Sequence, residues 1–156
     1  MTNRQFPQSY AGRSPAQLLK DARERLAIGI AIEAAEMANA ATVTMKNLSF
    51  APNNPQLADA YALVAASCTY VRTNFHGEEL KREYLQRSLA AYKAEIACRE
   101  LGCETEALAK AHFLYGRTLA ADLGDSRGYQ EIAKAMQILG TIAQRDEVVS
   151  KTSWLY

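Results

Sequence analysis

Along most of this chain the apolar residues recur every three or four positions, in stretches parted by short polar or glycine-bearing breaks. That is the period of one helix face, not the alternation of a half-buried strand. Leu80, Tyr84, Leu85, Leu89, Tyr92 and Ile96 form the clearest stripe and predict a helix from Glu78 to about Leu101, closed by Gly102. Glu78 and Glu79 at its start suit the positive end of the helix dipole. A second stripe, Tyr129, Ile132, Ala133, Met136, Leu139 and Ile142, predicts a helix that begins at a Ser126 cap and frays over Gln144, Arg145, Asp146 and Glu147.

The remaining helices are read from their ends. Ser14-Pro15-Ala16-Gln17 places Ser at N-cap, Pro at N1 and Gln at N3, the pattern of a capping box with a first-turn proline. Gly29 alone interrupts the run that follows, so one long helix is expected over 14–48. Its middle, Ala27 to Ala38, is built of small residues that allow close approach of helix axes, and a helix apolar on most faces is buried between neighbours. Phe50 to Pro55 is a Pro/Asn-rich loop. Asn54 and Pro55 repeat the cap pattern and start a helix that ends near His76-Gly77, and a further helix runs from about Thr105 to Leu123. The expected fold is all-α: about five antiparallel helices in one domain over 1–156. It divides into an arm over 1–13, the long helix, a first helix pair over 55–102, a second over 104–147 and an aromatic tail over 148–156.

Two of these helices share a pattern. Leu57-Ala58-x-Ala60-x-x-Leu63-x-Ala65 recurs as Leu108-Ala109-x-Ala111-x-x-Leu114-x-Gly116, offset by 51 residues. Self-similarity at a fixed offset is the mark of stacked helical repeats. The second copy, with Leu123-Gly124-Asp125 and an amphipathic helix after it, resembles a tetratricopeptide repeat, and the unit Leu57 to Gly102 is similar. The likeness covers about residues 55 to 145. It departs from the family's repeat of roughly 34 residues, which asks for longer helices here, and the proline that closes the second helix is absent from both copies. The resemblance implies a stack of helix pairs whose first helices line a concave face that holds a peptide or helix of another protein. By that implication the groove residues are the polar and aromatic positions Tyr61, Arg72, Asn74, His112, Tyr115 and Arg117.

Composition narrows the function. Hydrophobic residues make up 49% and charged residues 22%, ordinary for a folded domain. With a net charge of +1, no global field recruits nucleic acid or an anionic membrane. Basic residues are interspersed with acidic ones, as in Lys81-Arg82-Glu83, and no basic helix carries interleaved aromatics. Leu26 to Val43 is apolar-rich but broken by Glu33, Glu36 and Asn39, so no membrane insertion is expected. The N-terminus lacks a signal-peptide core, and Cys68, Cys98 and Cys103 form no disulfide framework, so reduced thiols and a cytoplasmic location are expected.

Catalytic chemistry finds little support. Phosphate-cradling glycine loops and the G-x-S-x-G elbow are absent, and neither histidine sits in a nucleophile motif. Glu33 and Glu36 resemble half of a carboxylate metal site, but no Glu lies three residues before His76 or His112, so no metal or other cofactor is expected. Cys98 and Cys103 are spaced C-x4-C, unlike a redox pair. The expected function is a non-catalytic protein–protein interaction module, an adaptor or chaperone-like clasp. The alternative is a structural subunit of a symmetric homo-oligomer, in which Trp154 and Tyr156 of the tail make the contacts, since Trp and Tyr are frequent interface anchors.

Overall fold

The computed structural model describes residue 10, residues 12–103 and residues 105–146. Among these residues the fold is all-helical, with no strand. Six α-helices follow one another: α1 (Pro15–Ala27), α2 (Ala31–Asn47), α3 (Pro55–Asn74), α4 (Glu78–Glu100), α5 (Glu106–Arg117) and α6 (Arg127–Asp146). A π-helical segment, Thr118–Asp122, prolongs α5.

The long first helix expected over 14–48 is broken in two, which makes six helices rather than five. Gly29 has φ 82°, a left-handed conformation. Its N–H donates to the Leu26 carbonyl at 3.0 Å, and the Ile30 N–H donates to Arg25 at 2.9 Å. Those paired bonds are a Schellman cap, which ends a helix and turns the chain back. Arg25 then meets Glu33 across the turn at 3.5 Å. The small-residue surface belongs to α2, where Ala31, Ala34, Ala35, Ala38 and Ala41 are at most 1% exposed.

Local chemistry sets the other boundaries. Ser14 Oγ accepts the Gln17 N–H at 3.1 Å, Asn54 Oδ1 that of Gln56 at 2.8 Å, and Thr105 Oγ1 that of Leu108 at 3.1 Å. The Gln17 Nε2 donates to Asp21 at 2.8 Å, and the reciprocal half of the expected capping box, the Ser14 N–H to the Gln17 side-chain oxygen, does not form among the described residues. At α6 the capping oxygen comes from Asp125, not Ser126: Asp125 Oδ1 accepts the Arg127 N–H at 3.0 Å. α2 ends in a second Schellman cap, with Phe50 N–H on Met45 and Ser49 N–H on Lys46, both at 3.0 Å. Here the left-handed position is occupied by Ser49, φ 61°.

Consecutive helices pack as three hairpins, α1–α2, α3–α4 and α5–α6, with α2 against α3 and α4 against α5 joining them. The core runs through the stack as linked clusters. Leu18, Leu19, Met37, Met45 and Leu57 close the first end, and Cys68, Val71 and Tyr84 continue it between α2, α3 and α4. Leu108, Ala135 and Ile138 of the last hairpin pack with Ile96 of α4. That hairpin has the closest helix contact. A Cβ on Gly116 would lie 2.5 Å from the Gly128 carbonyl oxygen, and one on Gly128 would strike the Gly116 carbonyl and lie 2.7 Å from the Ala120 amide nitrogen. With Gly128 turned inward, the next residue points away, so Tyr129 is 68% exposed and Met136 51%. The α6 stripe read from the sequence is therefore rotated: Ala135 and Ile138 hold its centre, flanked by Leu139 and Ile142.

Candidate functional site: a cleft between α3 and α5

α3 and α5 both pack beside α4, and the space between them is a cleft of about 400 Å³. Ala62, Leu63 and Ala66 of α3 face Ala107, Ala111 and Leu114 of α5 across it. Ala107, Ala111 and Leu114 recur at three or four residues, and Ala66 follows the adjacent Ala62 and Leu63 at four and three, so each set lies on one side of its helix. The four alanines among them leave the space open, and Tyr92, Glu95 and Arg99 of α4 lie at its base. Arg23 of α1 reaches its rim.

The base carries a fixed charge network. Arg99 Nε donates to Glu95 Oε2 at 2.8 Å, and Arg99 Nη2 donates to Asp59 Oδ1 at 2.9 Å, tying α4 to α3. Glu95 is 5% exposed, and burial raises its carboxyl above the usual range, opposed by the Arg99 bond. Burial works to lower the Arg99 guanidinium, but its two carboxylate partners outweigh that and raise it. Tyr92 is raised by burial too, and its hydroxyl pairs with that of Thr69 at 3.3 Å. Arg23 and Lys110, by contrast, are exposed and make no ion pair among the described residues. The cleft thus offers an apolar surface, a pre-set ion triad and two exposed cations, of which Lys110 also acts on Glu95 electrostatically.

None of the six residues expected in a groove lines this cleft. Tyr61 is half-buried on the opposite side of α3, with the Lys46 ammonium 5.3 Å from its ring centroid. Arg72 is engaged with Asp122 at 2.7 Å, joining α3 to the π segment. Asn74 donates to the Tyr70 carbonyl at 3.0 Å and serves the end of its own helix. His112 is 3% exposed, with Nδ1 2.7 Å from Glu131 and Nε2 3.3 Å from Glu100, so it joins α5 to α6 and α4. Tyr115 packs into the core beside α6, its hydroxyl raised by burial, and Arg117 lies over the Phe113 ring at 5.7 Å. Trp154 and Tyr156 lie outside the described residues.

The helices were therefore legible and their rotation was not. A usable signal was nonetheless present. In the shared pattern, Leu57 and Leu108, Ala58 and Ala109, and Ala60 and Ala111 are all at most 4% exposed. The variable third position, Asp59 or Lys110, and the pair Leu63 and Leu114 face the cleft in both copies. Tyr61 and His112 stand two residues further on from Asp59 and Lys110, about 200° around the helix, and so point elsewhere.

No family model, curated protein or solved structure matches the chain. Among the described residues, no cluster of His, Cys, Asp and Glu side chains has the arrangement of a metal site, and no helix is long and apolar enough to cross a membrane. Cys68 and Cys98 are buried and free, and Cys103 is exposed.

Proposed function

We propose that this chain is a non-catalytic protein–protein interaction module, a tetratricopeptide-like stack of helix pairs that holds a peptide or helix of a partner in the cleft between α3 and α5. The observation that carries this reading is the cleft itself: alanine- and leucine-lined walls from two helices of matching pattern, flanked by Arg23 and Lys110, which make no ion pair among the described residues. An amphipathic segment buries its apolar side in such a groove and sets carboxylates against the cations. The ion triad of Asp59, Arg99 and Glu95 is satisfied within the protein and acts as a rigid base. Two buried free thiols and one exposed fit a reducing compartment, the cytoplasm.

Displayed peptide libraries selected on the native protein test this. Selected peptides should lose binding to Ala66→Trp, which fills the cleft from its rim, and weaken on Lys110→Glu. Peptides that bind these variants and the native protein equally would refute it.

One observation favours a second reading, a structural subunit of a symmetric homo-oligomer. Tyr129 and Met136 stand exposed on the outer side of the last helix, where a stacked protein is open-ended. Light scattering separates the two: a concentration-independent monomer, unchanged by Tyr129→Ser with Met136→Ser, excludes the assembly.

A further inference from the structure

A second cleft lies on the other side of the α3–α4 hairpin, between it, the end of α2 and the loop that follows. Its volume is about 420 Å³, within the usual range of small-molecule sites, ~300–1,000 Å³. Its lining differs in kind from that of the first. Phe50, Leu57, Tyr61 and Leu101 supply large apolar surfaces, and among the described residues no carboxylate lines it. The one charged lining residue is Lys46. The first cleft, by comparison, contains Asp59 and Glu95.

The position of Lys46 follows from the fold. It stands in the last turn of α2, whose Schellman cap brings Phe50 back beside it. Its ammonium lies 5.3 Å from the centre of the Tyr61 ring, a cation–π contact that holds the charge over the apolar lining. Lys46 makes no ion pair among the described residues. The carbonyls at this helix end are already taken: Thr44, Met45 and Lys46 accept from Leu48, Phe50 and Ser49. The Cys98 thiol, beneath, donates to the Asn54 carbonyl. Among the described lining side chains, the open polar groups for a guest are the Lys46 ammonium and the Tyr61 hydroxyl, and the one charge at the edge of the apolar hollow is positive.

The corresponding place on the last hairpin is occupied differently. Leu108 and His112 stand where Leu57 and Tyr61 do in the shared pattern, but His112 is already engaged by Glu131 and Glu100. The apolar, singly charged version is a property of the α3–α4 side.

We propose that this cleft binds an amphiphilic monoanion, a medium-chain alkyl carboxylate, with its chain on Phe50, Leu57, Tyr61 and Leu101 and its head group against Lys46. One cation matches one negative charge. The apolar lining takes the chain that water rejects. This site is separate from the peptide cleft, and either can hold without the other.

Isothermal titration of the full chain with decanoate, beside decylamine and octanoate at one ionic strength, tests it. Decanoate should bind saturably and tighter than octanoate, by up to about fourfold for each added methylene that is buried. Decylamine should bind more weakly. Lys46→Glu exchanges an exposed attraction for a repulsion and should weaken decanoate roughly tenfold. Ala97→Trp fills the cleft from an exposed position and should abolish binding. Both substitutions lie on the surface, and an unchanged melting temperature verifies the fold. Absence of saturable decanoate binding, equal affinity for decylamine, or full binding by Ala97→Trp would each overturn the proposal.

Discussion

The contact between Gly116 and Gly128 gives the sharpest test of how this fold is held together. Gly116→Ala adds one methyl group at a point where its carbon would stand 2.5 Å from the Gly128 carbonyl oxygen, 2.9 Å from Glu131 Cβ and 2.9 Å from Ile132 Cγ1. The first of these is backbone, so no rotamer change relieves it; α5 and α6 must separate by something near an ångström to restore ordinary contact. Overpacking of this kind costs about 1–3 kcal/mol, and an obstruction by backbone belongs at the upper end. Against it, alanine gains about 1 kcal/mol of helix propensity over glycine. The net expectation is a loss of about 2 kcal/mol, or a fall of roughly 4–8 °C in melting temperature for a chain of this size. Gly140→Ala is the matched control. It lies in α6 with nothing within 4 Å of the added carbon, so it should gain close to the full propensity, about 1 kcal/mol. Thermal and urea unfolding followed by helical circular dichroism measures both. If Gly116→Ala melts at or above the native temperature, the helices do not meet as described and the account of α6 rotation falls with it.

Other tests address single devices. Ser49→Gly should stabilise by about 1 kcal/mol in urea unfolding, because glycine removes the left-handed strain at φ 61° while the Schellman bonds remain. His112→Leu should cost about 1–3 kcal/mol by removing the partner of Glu131 Oε2, leaving that part-buried carboxylate only its longer contact to Lys134, yet leave capture of cleft-selected peptides unchanged; lost capture without lost stability would return His112 to the groove. In the native protein a thiol reagent should label Cys103 rapidly, with Cys68 and Cys98 reacting only after denaturant is added. Burial pushes the Cys68 thiol up to about 11 from its ordinary 9.0. Between those values the unfolded chain has lost the proton that the folded chain keeps, so stability should fall as pH rises, by about 1.4 kcal/mol per unit from this group. A Cys68→Ala chain should show a shallower alkaline slope, and an identical slope would contradict the burial of that thiol.

What the residues alone determined is local. Helix starts at Ser14, Asn54 and Thr105, and the apolar stripe of α4, follow from side chains that meet their partners within a turn, so neighbouring letters suffice. The break at Gly29 was not fixed in this way, since a glycine can end a helix as readily as sit in one; the paired bonds to Leu26 and Arg25 choose between them, and they accompany the packing of α1 on α2. What tertiary structure decided is rotation and pairing. Only the Gly116–Gly128 contact turns Tyr129 and Met136 outward, and only the position of α4 between its neighbours selects Asp59 and Lys110 for the cleft and retires His112 to a bond with Glu131. A helix repeats every 3.6 residues whichever neighbour it meets, so its sequence shows that an apolar face exists, leaves its exact centre open, as in α6, and names a polar face poorly. Burial is enforced by water at every position, whereas the use of an exposed or half-buried polar group depends on partners 19 to 50 residues away, as His112 with Glu131 and Arg72 with Asp122 show.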